Sequence, residues 1–100
     1  VIDLQLTEEQ KKNVVEILAK YFTQNTVWVF GSRLHSKQVK PFSDLDLAII
    51  GDTQFTADFL GRVAEDFSSS ELPFKVDIAV FKNLPTQMQA NIRKEHIVIF

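Results

Sequence analysis

The sequence has no cysteine among its 100 residues, so no disulfide and no thiolate metal site can form. Glycine and proline number three each, too few for a collagenous or low-complexity chain. Basic charge is not in excess. Eleven Lys and Arg stand against 13 Asp and Glu, a formal net charge of -2. A protein held on duplex nucleic acid by bulk charge needs a basic face, so stable duplex binding is not expected. A nucleotide substrate stays open, because metal ions can meet its charge locally. No apolar run approaches the length of a membrane span, which argues against membrane insertion. The opening residues Val1-Ile2-Asp3-Leu4 lack the basic-then-apolar order of a secretion signal. A start without Met is expected of a trimmed chain, and a cytoplasmic domain is the resulting expectation.

What is present is enough for a core. Hydrophobic residues make up 45%, with nine Phe, one Trp and one Tyr, and the length suits a single domain over residues 1–100. The apolar period switches repeatedly between helix-like and strand-like, which predicts an α/β (α+β) domain. Thr7 and Gln10 have the spacing of a capping box, with Glu8 and Glu9 at the positive end of the following helix. Val14, Ile17, Leu18, Tyr21 and Phe22 form its apolar stripe. Val27 to Phe30 reads as a buried strand stopped by Gly31, with a short helix after it. Leu45 to Ile50 reads as a second strand. Phe55, Phe59, Leu60, Val63 and Phe67 recur at helical spacing. Lys75 to Phe81 is a third strand and Ile97 to Phe100 a fourth. Pro85 suits the first turn of a last helix, with Met88 and Ile92 on its buried side. The expected architecture is a mixed four-stranded sheet with helices packed against it.

Most of the chain explains itself as core and solvated surface, but one constellation does not. Alternate side chains of a strand share a face, so Asp44 and Asp46 point one way while Leu45, Leu47 and Ile49 point the other. Asp77 likewise opposes Val76, Ile78 and Val80. Asp46-Leu47-Ala48 and Asp77-Ile78-Ala79 repeat one pattern, so neighbouring strands would bring three carboxylates together over small alanines. Such a cluster repels itself unless a cation binds. Carboxylate oxygens suit Mg²⁺ or Mn²⁺, and two such ions roughly 3.5–4 Å apart can clamp an in-line phosphoryl displacement. Gly31 allows a sharp turn close to a ligand, and Ser32 adds a hydroxyl and an N–H suited to the outer phosphates of a nucleoside triphosphate. Arg33, Lys37 and Lys40 add positive charge nearby. Gly-Ser alone is a weak signal. Gly-Ser-Arg followed by Ser43-Asp44-Leu45-Asp46, eleven residues after Ser32, and then by a strand-borne Asp is a strong one.

These residues, Gly31-Ser32-Arg33, Ser43-Asp44-Leu45-Asp46-Leu47-Ala48 and Asp77, resemble the minimal nucleotidyltransferase domain of the DNA polymerase β superfamily. The resemblance covers the whole chain and implies transfer of a nucleoside monophosphate, AMP from ATP above all, to a hydroxyl with release of pyrophosphate. It implies that Asp44 and Asp46 bind both of two Mg²⁺ ions, and that Asp77 joins one and helps activate the acceptor. Gly31, Ser32, Arg33 and Ser43 would bind the nucleotide. It also implies a partner: single-domain members of this kind are often the antitoxins of small helical HEPN toxins, some adenylylating a toxin tyrosine, in a hetero-oligomer. The family often reads Gly-Ser-Arg-Ala-x-Gly, whereas here Leu34, His35 and Ser36 follow Arg33, so a glycine is missing at Ser36.

Each singled-out residue also has a plain reading. Asp44 and Asp46 could cap or face solvent at a strand start, and Asp77 could be an edge-strand acid beside Lys75. Ser43 could turn the loop, and Arg33 could pin it through an internal ion pair as readily as touch phosphate. His35 and His96 read as surface residues, and Trp28 as core. The competing function is a non-catalytic module that neutralises a helical partner by docking, a reading favoured by Ser36. Pairing of two copies through Ile97 to Phe100 ranks below both.

Overall fold

Thr7 and Gln10 close the capping box expected of them. Thr7 N–H donates to the Gln10 side chain and Gln10 N–H to the Thr7 hydroxyl, both at 3.0 Å. Helix α1 (Glu8–Tyr21) therefore starts with its orphan donors satisfied and with two glutamates in its first turn. The structure, a computed structural model, describes residues 4–34 and 43–100. The expectations for His35, Ser36, Lys37 and Lys40 lie outside the described residues.

Strand β1 (Val27–Phe30) runs directly into a 3-10 turn (Gly31–Leu34), in place of the short α-helix expected there. Strand β2 (Leu45–Ile49), helix α2 (Ala57–Ser68) and strand β3 (Val76–Val80) follow. Thr56 caps α2 by accepting from Phe59 N–H at 3.1 Å, so Phe55 precedes the helix. A second 3-10 turn (Phe81–Asn83), helix α3 (Thr86–Lys94) and strand β4 (Ile97–Val98) complete the chain. The sheet order is β3-β2-β1-β4. β1 is antiparallel to β2 and β4, and β2 is parallel to β3 across the α2 crossover, so the sheet is mixed as expected. Only Ile97 and Val98 pair as a strand, and Val98 is exposed on the sheet margin.

The two faces of the sheet are covered unequally. On one, Val14, Leu18 and Phe22 of α1 and Val63 and Phe67 of α2 pack against Val27, Val29, Leu45, Leu47 and Ile49. Phe22 meets Phe55 and Phe59 edge-on, the geometry that ring quadrupoles favour. The other face carries a smaller cluster of Ala48, Phe81 and Ile92, flanked by Trp28, Phe30, Ile50 and Leu84. Two expectations are corrected on this face. Met88 is 43% exposed, not buried, because Ile92 alone of the pair turns onto the sheet. His96 is half-buried, its ring stacked on Trp28 at 3.7 Å and its Nδ1 2.7 Å from the Ile92 carbonyl oxygen.

Candidate active site

The parallel register of β2 and β3 sets Asp46 opposite Asp77 and Ala48 opposite Ala79. Cross-strand partners share a face, so the two carboxylates stand side by side on the less covered side of the sheet. Across the antiparallel pairing Asp46 is opposite Phe30, the last residue of β1, and this brings the Gly31 turn to the same spot. Gly31 has φ +83°, a conformation that L side chains rarely adopt. A Cβ there would lie 2.5 Å from Asp46 Oδ2. Glycine is thus required twice, for the backbone turn and for the space the carboxylate fills. Ser32 follows it on the surface, and Asp44 is exposed just before β2.

Electrostatics tie the three acids together. Burial pushes the Asp46 carboxyl above the usual carboxylate range, and the negative charges of Asp77 and then Asp44 push it further the same way. Asp77 is paired with Lys75, Nζ to Oδ1 3.3 Å, both side chains well exposed. Among the described residues no three His, Cys, Asp or Glu side chains stand close enough to hold a metal ion as arranged. The site is therefore an in-register pair with a third acid within reach of its field. Its donors nevertheless fit a hard divalent cation. They are carboxylate oxygens without His or Cys, and mutual repulsion of the kind that raises Asp46 is what a cation relieves.

Arg33 is positioned differently from the phosphate contact expected of it. It is 5% exposed, and its Nε and Nη2 donate to the Ser43 carbonyl at 3.1 and 2.8 Å. Nη1 donates to the Gln5 carbonyl at 3.0 Å, and the guanidinium lies 4.1 Å from the centre of the Phe74 ring. Burial lowers its pKa from the ordinary value. Of the two tasks open to it, pinning the loop is the one these bonds perform; among the described residues its partners include the Ser43 and Gln5 main-chain carbonyls. By holding Ser43 it fixes the approach to Asp44.

One feature of the site escaped the sequence reading. A groove of about 340 Å³ runs between Gly31-Ser32 and α3, walled by Phe30, Met88, Asn91, Ile92 and Glu95. Positions 88, 91, 92 and 95 have the spacing of one helix face, a signal that was available. Of these four, only the apolar Met88 and Ile92 are assigned from the sequence, to the buried side of the helix.

Residues 12–100 match the model of the family described as Polymerase beta, Nucleotidyltransferase. The chain belongs to this nucleotidyltransferase family. It is 40% identical over 98 residues to a Haemophilus influenzae protein named "Probable protein adenylyltransferase MntA", covering 96% of this chain and 83% of that relative. Two solved structures share the fold. One, a toxin–antitoxin with AMP-PNP, gives a TM-score of 0.73 at 16% identity and covers 90% of this chain and 72% of that one. The other, an MntA-HpeT toxin–antitoxin carrying two Asp→Glu substitutions, gives 0.71 at 15% identity, with 90% and 71% covered. The transferase class, and the family's general use of divalent metal ions, follow from membership. Among the described residues no helix is long and apolar enough to cross a membrane.

Proposed function

We propose that this nucleotidyltransferase moves AMP from ATP to a hydroxyl on a partner protein, and that it is the antitoxin of a small helical HEPN toxin bound in a hetero-oligomer. The observation that carries the reading is the Asp46–Asp77 pair set in register against the Gly31 turn. The protein acceptor is supported by the name of the Haemophilus influenzae relative. ATP and a toxin partner are supported by the toxin–antitoxin neighbours, one of them with AMP-PNP.

Asp44 and Asp46 would hold two Mg²⁺ ions, with Asp77 on one of them and Mn²⁺ able to substitute. When bound, these ions supply positive charge to the triphosphate and acidify the acceptor hydroxyl. The chain's own residues do the remaining work. Gly31 and Ser32 present main-chain N–H groups and a hydroxyl to the β- and γ-phosphates, and the groove along α3 takes the nucleoside. Ser43, fixed through its carbonyl by Arg33, orients the entry to Asp44 and adds a hydroxyl for the nucleotide. The acceptor oxygen bonds to the α-phosphorus, the bond to the bridging oxygen breaks, and pyrophosphate leaves. Asp77 takes the proton from the acceptor.

Incubation with α-labelled ATP, Mg²⁺ and the protein encoded beside this one tests the reading. Label is expected on that neighbour and should be lost with Asp44→Asn and with Asp46→Asn. Label that persists in both variants, or never forms on the neighbour, overturns it.

A further inference from the structure

Asp77 sits on a strand that ends the sheet. Among the described residues β3 pairs with β2 on one side and stands at the margin of the order β3-β2-β1-β4 on the other. The Leu45 N–H donates to the Lys75 carbonyl at 2.9 Å. Main-chain groups alternate sides along a strand, so Lys75, Asp77 and Ala79 address β2 while Val76, Ile78 and Val80 address the open margin. Below that margin lies a crevice of about 460 Å³, lined by Phe67, Leu72, Phe74 and Val76 with Glu65 and Lys75 at its rim. The other margin strand, β4, has two residues and carries none of the acids.

From this arrangement we infer that the acceptor segment of the partner binds as an extended strand along the open margin of β3, with its hydroxyl residue directly opposite Asp77. The inference rests on the proposed transfer to a protein hydroxyl and adds how that hydroxyl is presented. Cross-strand partners share a face, so a residue opposite Asp77 directs its side chain to the face bearing Asp46 and Asp77. Its two neighbours then point to the opposite face, which carries the crevice of Phe67, Leu72, Phe74 and Val76 and, beside it, the half-buried Ile78. The recognised chemistry is an extended segment with a hydroxyl residue flanked on both sides by apolar residues. Lys75, exposed at the same margin and paired with Asp77, discourages casual strand pairing and is displaced at little cost, as exposed ion pairs are.

The test uses short end-blocked peptides with a central tyrosine between two leucines, between two aspartates, or with the leucine version N-methylated at the amides that would pair with β3. N-acetyl-tyrosinamide serves as an acceptor with no strand. Transfer from α-labelled ATP should favour the leucine peptide over its N-methylated form by about fivefold or more, the weight of a lost hydrogen bond, and over the aspartate peptide in the same direction. Without ATP, the leucine peptide should slow hydrogen exchange at the Val76, Ile78 and Val80 amides, and the N-methylated peptide should not. Equal transfer to the leucine peptide and its N-methylated form, or exchange unchanged at those amides, overturns the strand-addition inference while leaving adenylyl transfer standing. Slowed exchange with no transfer to any peptide or to N-acetyl-tyrosinamide instead removes the transfer reading and keeps the docking edge.

Discussion

At the scale of single residues, the site is a compromise between folding and chemistry. Asp46 is half-buried beside two other acids, and its pKa is raised in the folded state, by burial first and by Asp77 and Asp44 after it. A carboxyl whose folded pKa lies above its unfolded value binds protons more tightly when folded, so its contribution to stability is greatest at acid pH and is lost as pH rises through its folded pKa. Asp46→Asn removes this penalty. Its metal-free form should melt a few degrees above the parent at neutral pH, and the difference should vanish below the ordinary carboxylate range. Calorimetry over pH without divalent ions checks this, and an Asp46→Asn melting point at or below the parent at pH 7 would contradict it. Mg²⁺ should raise the parent's melting point and leave the variant's unmoved. Gly31→Ala should behave in the opposite way. The new Cβ meets the Asp46 carboxylate at 2.5 Å and sits on a backbone of φ +83°, so both strain and displacement follow. A loss of about 1–3 kcal/mol in urea unfolding is expected, together with loss of transfer activity.

At the scale of elements, Arg33 clasps three segments to its own turn. Its guanidinium joins the 3-10 turn after β1 to the Gln5 carbonyl ahead of α1 and to the Ser43 carbonyl before β2, while its plane covers Phe74 before β3. Arg33→Met keeps the length and leaves those carbonyls without their donors, so a cost of about 2–4 kcal/mol is expected. Arg33→Lys should recover only part of it, since an ammonium cannot fork to the same carbonyl through two nitrogens; urea midpoints of the three proteins decide the order. The same residue shows what a sequence can and cannot convey. Gly31-Ser32-Arg33 announces a turn with a purpose, but a charged residue after a Gly-Ser pair looks the same whether it turns inward or outward. Periodicity tells which residues share a face and is silent on what covers that face. For this reason the stripe of Val14, Leu18 and Phe22 is legible, whereas the same periodicity places Met88 in the core although it lines a groove. The parity of Asp46 and Asp77 was legible from each strand alone. Their register is suggested by the repeated Asp-apolar-Ala pattern and agrees with the observed pairing. That β2 and β3 are neighbours at all, however, depends on how the α2 crossover returns the chain, which no local pattern encodes. The shortness of β4 escaped for a related reason. Ile97 to Phe100 is uniformly apolar, and Ile97 and Val98 pair as a regular strand, while Ile99 and Phe100 still bond to Val27 but share that one residue and so leave the regular register.

For the molecule as a whole, the decisive asymmetry is between the two faces of the sheet. One is sealed by α1 and α2 over an extended core that includes Val14, Leu18, Phe22, Leu45, Leu47 and Val63. The other holds α3 by Ile92 and Phe81 against Ala48, with Trp28 and His96 stacked beside them. Local opening follows the density of buried apolar contact, so α3 should be the first helix to exchange its amides and α1 among the last. Ile92 also walls the groove next to Gly31 and Ser32, together with Met88 and Asn91 of the same helix. A nucleotide seated there as proposed would bridge α3 to the end of β1, and binding to the closed form would suppress the opening of that helix. Hydrogen exchange with and without a non-hydrolysable ATP analogue and Mg²⁺ should therefore show protection rising in α3 and at Gly31-Ser32, with α1 unchanged. Ile92→Ala, which removes the main anchor of α3, should cost about 2–4 kcal/mol and weaken nucleotide binding while Asp44, Asp46 and Asp77 stay in place. Protection that rises uniformly over the chain, or analogue binding untouched by Ile92→Ala, would mean that α3 is a lid on the fold and takes no part in holding the substrate.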